Sequence, residues 1–171
     1  MKQKDTIFDL LQNSAVGAIA MHSFTLGYYK IAKHKGDENN FPPAGFFFYV
    51  LPIVYNEKAM NTVKNCIDLY SVIIKEKSIM LGLQHRANRM TPKTFSSLNM
   101  AFSKKILTPN LTNGTIELQK GFLSKKILLP DAAVSDSLNS VKKIQDCAFR
   151  LGGIFAKRSA VNIQSELNIL L

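Results

Sequence analysis

The segment from residue 78 to residue 119 constrains the fold most, because its capping and turn residues predict a helix, a tight turn, a second helix and a β-hairpin. Thr91 is a suitable N-cap and Pro92 a suitable first helical residue, since a proline there lacks only an N–H that would have no partner. Asn113-Gly114 favours the positive φ of a hairpin turn. A helix-turn-helix followed by a hairpin is the plan of a winged-helix unit, and such units bind either DNA or protein.

The two helices predicted in this segment each have one apolar face at helical spacing. The first, from residue 78 to residue 89, would bury Ile79, Leu83, Ala87 and Met90. The second would bury Phe95, Leu98, Phe102 and Ile106. The opposite face of the second helix would then expose Lys93, Ser97, Met100 and Lys104.

The same region is the most basic part of the chain. Between residues 86 and 126, eight Lys and Arg residues stand against one acid, Glu117, which accounts for +7 of the formal net charge of +10. Such a balance favours an acidic partner, either nucleic acid or an acidic protein surface. The candidate DNA-binding residues are Arg86, Arg89, Lys93, Lys104, Lys105, Lys120, Lys125 and Lys126.

The residue types on the predicted exposed face indicate how DNA would be contacted. Bidentate base reading usually uses Arg, Asn or Gln, whereas lysine binds phosphates as a point charge. The predicted face places only Ser97 and Met100 between Lys93 and Lys104. We therefore predict contacts to the DNA backbone that are independent of base sequence.

The remainder of the chain predicts further helices around this unit. Asn13-Ser14 caps a long apolar helix, 14–33, whose small residues allow close approach of a neighbouring backbone. Asn56 caps a helix reaching to about residue 70, and C-terminal helices cover residues 135–170. The predicted fold is one mainly α domain, residues 1–171, with a small β-hairpin and a winged-helix-like unit at about 57–119.

Several features point to a cytoplasmic protein outside the membrane. The apolar run 41–55 is shorter than the roughly 20 residues of a membrane helix and contains three prolines, so we interpret it as a buried helix or a buried extended segment. Polar residues interrupt any signal-peptide core near the start. Cys66 and Cys147 have no metal-ligand spacing, and His22 is expected to be buried rather than catalytic.

The sequence contains no recognisable catalytic constellation. It has no phosphate-binding loop, no nucleophile elbow, no metal-binding spacing of histidines and no acidic pair suited to two-metal chemistry. We therefore predict a protein that is not an enzyme and that needs no cofactor or metal; an enzyme subunit is the weakest of three hypotheses.

A set of short motifs, taken in order, resembles the middle component of bacterial three-component ABC-ATPase systems. They are the opening NSAVGA at 13–18, Gly27-Tyr28, LPIV at 51–54 and LGGIFAK at 151–157. The resemblance covers about residues 13–171. Lamassu defence systems are similar in plan to these three-component systems. Ala15 stands where proline is frequent in the family, and Gly153-Ile154 stand where a large aromatic is usual.

The resemblance implies a non-catalytic adaptor in a defence complex, bridging an SMC-like ABC ATPase and an effector, which is often a nuclease. Double-stranded DNA is a further candidate partner, through the basic face. Apolar surface would carry the protein contacts, either the 41–55 run or the terminal helix with Val161, Ile163 and Leu167. The alternative is a stand-alone winged-helix regulator that binds DNA.

Overall fold

The computed structural model describes residues 13–36, 40–130 and 141–170. Over these residues the chain forms seven α-helices and one antiparallel pair of strands. The helices are α1 (Ser14–Ala32), α2 (Phe47–Val54), α3 (Glu57–Lys64), α4 (Leu69–Lys75), α5 (Leu83–Ser103), α6 (Val141–Phe155) and α7 (Ala160–Leu167). The strands, β1 (Leu107–Asn110) and β2 (Thr115–Leu118), lie between α5 and α6. The predicted fold class, mainly α with a small β-hairpin, is confirmed.

Helix α1 is the central element of the core, as its apolar sequence predicts. Asn13 caps it by accepting a hydrogen bond from the Ala15 N–H at 2.8 Å. It packs mainly against α6 and α5, with further contacts to α2 and β2. Met21, Phe24 and Leu26 on this helix are fully buried. The prediction of a long buried helix at 14–33 is therefore confirmed.

Glycines bring α1 and α6 into direct backbone contact. A Cβ added at Gly27 would lie 1.9 Å from the Phe149 carbonyl oxygen, and one added at Gly152 would lie 2.0 Å from the Phe24 carbonyl oxygen. No side chain fits at either position without movement of the opposite backbone. The close approach predicted from the small residues of α1 is thus confirmed.

The apolar run 41–55 forms a 3₁₀ turn followed by helix α2, which settles the choice between helix and extended chain. Its aromatic residues complete the centre of the core. The Phe24 ring lies edge-on to those of Phe47 and Phe155, with centroids 5.4 and 5.6 Å apart. Phe46 meets Phe155 in the same way at 5.3 Å. These separations are in the range preferred by aromatic pairs, so this run belongs to the core.

The predicted helix-turn-helix between residues 78 and 106 is wrong, because one continuous helix, α5, spans most of it. Thr91 does not cap a helix: its hydroxyl donates to the Ala87 carbonyl, one turn back, at 3.1 Å. Pro92 is therefore inside a helix, where proline costs about 3 kcal/mol. One buried stripe of side chains runs along α5 on both sides of Pro92, and its packing on α1 and α2 offsets this cost. It consists of Leu83, Ala87, Thr94, Ser97, Leu98 and Ala101.

The predicted helix 57–70 divides into α3 and α4. Asp68 starts α4, because its carboxylate accepts hydrogen bonds from the Ser71 N–H and the Ser71 hydroxyl, both at 2.9 Å. An aspartate in this position satisfies a free N–H of the first turn. As a result, Ile67 and Tyr70 are 71% and 61% exposed.

The hairpin forms where the sequence predicts it. Strands β1 and β2 pair with Leu107 opposite Leu118, and Gly114 in the turn has a φ of 64°. Strand β2 is also bonded on its other edge, since the Ile116 N–H donates to the Pro42 carbonyl at 3.1 Å. The hairpin is therefore attached to the chain that leads into α2.

The order of α3, α4, α5 and the hairpin is compatible with the winged-helix unit predicted at 57–119. However, α5 packs mainly on α1 and α2, and α3 packs mainly on α6. The winged-helix unit stays a prediction, as does the assignment of residues 1–171 to one domain. The predicted C-terminal helices, 135–170, are represented by α6 and α7, and Ser135, the predicted N-cap, lies outside the described residues.

Candidate functional site

Three of the predicted DNA-binding cations form a row along α5. Lys93 and Lys104 are about three helical turns apart, so they lie on the same side of the helix, about 16 Å from one another. Arg89 is four residues before Lys93, so these two are neighbours on the helix surface. Because Pro92 does not break the helix, the row is straighter than a helix-turn-helix would have made it.

Arg86 is on the same side of α5 as this row, but its side chain is engaged by the turn before the helix. Its guanidinium donates to the carbonyl of Ile79 and to that of Leu81, each at 2.6 Å. These carbonyls belong to the 3₁₀ turn and the bend just before α5, so Arg86 closes that turn. The side chain is half-buried, and its charge is directed at backbone carbonyls. Arg86 therefore positions the start of α5.

Lys105 and Lys120 are exposed where the hairpin joins the end of α5. The Gln119 N–H donates to the Ile106 carbonyl at 3.1 Å, which places Lys120 beside the end of α5. Lys105 adopts a left-handed conformation with a φ of 53°, which turns the chain from α5 into β1. Together with the row on α5 they form what we call the basic surface: Arg89, Lys93, Lys104, Lys105 and Lys120.

Lys125 and Lys126 behave differently from one another. Lys125 is exposed, whereas the Lys126 ammonium lies 2.6 Å from the Asp146 carboxylate and 4.4 Å from the centroid of the Phe149 ring. Burial raises the pKa of Asp146, but hydrogen bonds and charge from Lys126 and Lys142 outweigh it and hold that pKa below its usual value. Lys126 therefore attaches the segment after the hairpin to α6, and the Asp146 carboxylate compensates its charge.

The structure changes the residues that α5 offers to a partner. Ser97, predicted to be exposed, is fully buried against Gly17, where an added Cβ would lie 1.9 Å from the Ser97 hydroxyl oxygen. Asn88 and Asn99 are exposed instead. Asparagine is one of the side chains that read base edges, but at 3.6 residues per turn both asparagines lie more than about 100° around α5 from Lys93. The predicted exposure of Ser97 is wrong, whereas a lysine face without Arg, Asn or Gln between Lys93 and Lys104 stays a prediction. Binding that is independent of base sequence stays a prediction on the charge alone.

The predicted partner-binding residues of the terminal helix are not all accessible. Val161 is 70% exposed, whereas Ile163 and Leu167 are fully buried. Ser159 caps α7 by accepting a hydrogen bond from the Asn162 N–H at 3.2 Å, and this start directs Ile163 and Leu167 inwards. Of the three, only Val161 is available to a partner.

An exposed apolar cluster lies nearby on α4, which contacts α7. Ile67, Tyr70 and Ile74 are 71%, 61% and 52% exposed, and we call them the α4 patch. Tyr70 and Ile74 are one turn apart, on the side of α4 away from the buried Leu69 and Val72. The helical spacing of the sequence did not indicate this patch because it favoured a single helix from residue 57 to about residue 70. Recognition of Asp68 as an N-cap would have revealed it.

A groove of about 200 Å³ between α3 and α6 is lined by charged residues. Arg150 donates from this groove to the carbonyls of Val63 and Cys66, both at 3.3 Å, and so closes the C-terminal end of α3. Burial raises the pKa of the Cys147 thiol to about 12, with Arg150 opposing the shift. Cys147 is thus a neutral thiol and a poor nucleophile at neutral pH.

His22 is fully buried in α1, as predicted, with its ring edge-on to Phe122 at a centroid distance of 5.5 Å. Burial lowers its pKa to about 4, and the backbone of Phe122 opposes the shift only in part. The imidazole is therefore neutral at pH 7. Its surroundings are those of a core side chain.

Two further observations concern the described ranges alone. Within them, no three His, Cys, Asp or Glu side chains are grouped so that they could hold a metal ion. No helix in these ranges has both the length and the apolar character needed to cross a bilayer.

Comparison with known families supports the resemblance noted from the sequence motifs. The family model described as ABC-three component (ABC-3C) system Middle Component 3 matches residues 1–170. Neither a search of curated proteins nor a search of solved structures gave a match. The predicted resemblance to the middle component of three-component ABC-ATPase systems is confirmed by the family match.

Proposed function

Since the chain belongs to the Middle Component 3 family of ABC-three component systems, we propose that it is a non-catalytic adaptor that joins the ABC ATPase of its system to an effector. The family match over residues 1–170 is the observation that carries this proposal. We propose further that the effector is a nuclease, that the ATPase is SMC-like, and that the complex acts in the cytoplasm in bacterial defence.

The arrangement of surfaces supports an adaptor. An adaptor must hold at least two partners on a frame that keeps their relative position. Here α5 and the hairpin carry the basic surface, whereas α4 carries exposed apolar side chains. Helix α5 packs on α1, and α1 packs closely on α6, so the basic surface rests on a buried framework.

Reconstitution from the three components tests the adaptor role. We expect the full chain, co-expressed with its ATPase and its third component, to elute with both in size-exclusion chromatography. Omitting the chain should separate the ATPase from the effector. Association of those two components that is equally strong without this chain would contradict the proposal.

We also propose that the basic surface binds the phosphate backbone of double-stranded DNA in the assembled complex. Reversing Lys105 and Lys120 to glutamate should lower duplex affinity about tenfold or more at low salt for all sequences, because each phosphate contact releases counterions. Lys58→Glu with Lys64→Glu is the matched control, since it makes the same change of net charge on α3. Equal losses from both pairs would remove the basic surface from the mechanism.

The exposed Asn99, on another side of α5, is the observation that favours the alternative, a stand-alone DNA-binding regulator. A regulator should bind one operator at least about 1,000-fold more tightly than random duplex. An adaptor contacting the backbone should show little preference. Binding to random and genomic fragments in the same salt separates the two functions.

A further inference from the structure

The α4 patch is unusual because apolar side chains cover the outward face of a short helix at the corner formed by α4 and α7. Ile67, Tyr70 and Ile74 are all more than half exposed. Val161, 70% exposed, adds a fourth apolar side chain from α7, the helix in contact with α4. Contiguous exposed apolar surface, rimmed by polar groups, is typical of protein interaction sites.

The charges around this patch are predominantly positive. Among the described residues of α4, α7 and the turns beside them, the exposed or half-exposed cations are Lys75, Lys77, Lys157 and Arg158. Lys157 donates to the Ile67 carbonyl at 2.7 Å, and Arg158 lies beside Glu166. Three acids lie in the same segments, and each is already engaged within the chain. Asp68 accepts from Ser71, and Glu76 accepts from the Ser78 N–H at 3.1 Å. Glu166 lies 3.5 Å from Arg158.

These observations define the chemistry of the occupant. An apolar centre needs an apolar partner surface, and a cationic rim without free acids needs an acidic rim opposite. A second copy of this chain would bring two cationic rims together, because a two-fold interface places the same surface on both sides. The charge pattern therefore opposes self-association through this face.

We propose that the α4 patch is the docking surface for another component of the same ABC system, through an apolar segment flanked by Asp and Glu. This inference rests on the proposed adaptor function and names the surface that performs it. Tyr70 and Ile74 would form the buried centre, and Lys75 and Lys77 would meet the acidic flank. The basic surface on α5 is left free for a second ligand.

The test compares surface variants of the full chain in the co-expressed system. Tyr70→Ser with Ile74→Ser should weaken capture of one component about tenfold or more, because apolar and aromatic side chains at an interface centre dominate binding. The matched control is Leu111→Ser with Leu128→Ser, which removes two apolar side chains that are 92% and 94% exposed elsewhere. Lys75→Glu with Lys77→Glu should weaken the same component and reduce the salt dependence of its binding.

The outcomes separate this inference from the adaptor proposal. Loss of one component in the patch variants alone, with melting temperatures unchanged, supports docking at α4. Unchanged capture by the patch variants, or equal loss in the control, overturns it and leaves the adaptor role standing. Dimerisation of the isolated chain that the patch variant abolishes would overturn it in favour of a second copy. A wild-type chain that captures neither component would remove the adaptor role and the docking surface together.

Discussion

The crossing of α1 with α6 and the corner formed by α4 and α7 show two ways in which this chain uses a helix. At the crossing, Gly27 and Gly152 bring two backbones together beside the fully buried Leu26 and Leu151. At the corner, α4 buries Leu69 and Val72 but exposes Tyr70 and Ile74. The first helix pair tolerates almost no change in shape, whereas the second has a face that packing does not require.

The largest expected effect is at the crossing. Gly152→Ala should lower the free energy of unfolding by about 3 kcal/mol, because the new Cβ would overlap backbone atoms of α1 that cannot rotate away. Gly153→Ala is the control, since its Cβ would lie 3.4 Å from the Ile31 side chain. Alanine there should be neutral or stabilising by up to about 1 kcal/mol through helix propensity. Urea denaturation measures both, and equal losses would contradict a specific backbone contact.

The pH dependence of stability is the second largest effect and also belongs to α1. The folded pKa of His22 is about 4 against an ordinary value of 6.5, so the unfolded chain binds this proton first as the pH falls. The stability that the neutral His22 side chain contributes is therefore complete above pH 6.5 and is lost as the pH falls towards 4. At about 1.4 kcal/mol per pKa unit, the loss is roughly 3 kcal/mol by pH 4.

His22→Leu should remove this part of the pH dependence, since leucine does not titrate. Unfolding measured at pH 7, 5.5 and 4 for both chains isolates the histidine from the carboxyl groups. Parallel pH curves for the wild type and the variant would show that the imidazole is not desolvated in the folded protein.

The two sides of α4 provide the third test. Leu69→Ala should cost about 2 kcal/mol, since it removes a fully packed side chain from a short helix that can partly collapse. Ile74→Ala should change stability by about 0.5 kcal/mol or less, because its side chain is half exposed. Thermal unfolding of the two variants gives the comparison directly. A large loss for Ile74→Ala would mean that the outward face serves the fold and not a partner.

The smallest expected effect is at the start of α4. Hydrogen bonds from the Ser71 N–H and hydroxyl hold the pKa of Asp68 below its usual range. Its contribution is therefore present above the ordinary pKa of aspartate and is lost as the pH falls through the folded value. Asp68→Ala should be slightly less stable than the wild type at pH 7 and indistinguishable at pH 2. A difference that persists at pH 2 would assign the effect to shape alone.

Local signals predicted the parts of the fold that depend on local chemistry. Asn13 and Asn56 each cap the helix that the sequence assigns to them. Asn113-Gly114 marks the hairpin turn. At Thr91-Pro92 the same capping rules failed, because packing along α5 favours a continuous helix despite the proline. A capping residue makes a helix start possible at its position, and long-range packing determines whether a helix starts there.

The candidate site shows the same division. The sequence identifies which residues carry charge, but their availability depends on distant contacts. Arg86 is occupied by the turn around Ile79, and Lys126 by Asp146, twenty residues later. The α4 patch depends on where α3 ends and α4 begins. That boundary lies at residues 65–68, where Asp68 caps the start of α4.

The pairing of β2 with the chain before α2 has a consequence for how partners can bind. The Ile116 N–H donates to the Pro42 carbonyl, so Ile116 and Pro109 face each other as a non-hydrogen-bonded pair. The backbone nitrogen of Pro109 therefore faces away from β2, and as a proline nitrogen it has no hydrogen to donate there. One edge of the small sheet is therefore covered and the other is blunted by proline. Strand addition, a common route both to peptide capture and to aggregation, is disfavoured on either side. Recognition through this small sheet must accordingly depend on its side chains rather than on an added strand.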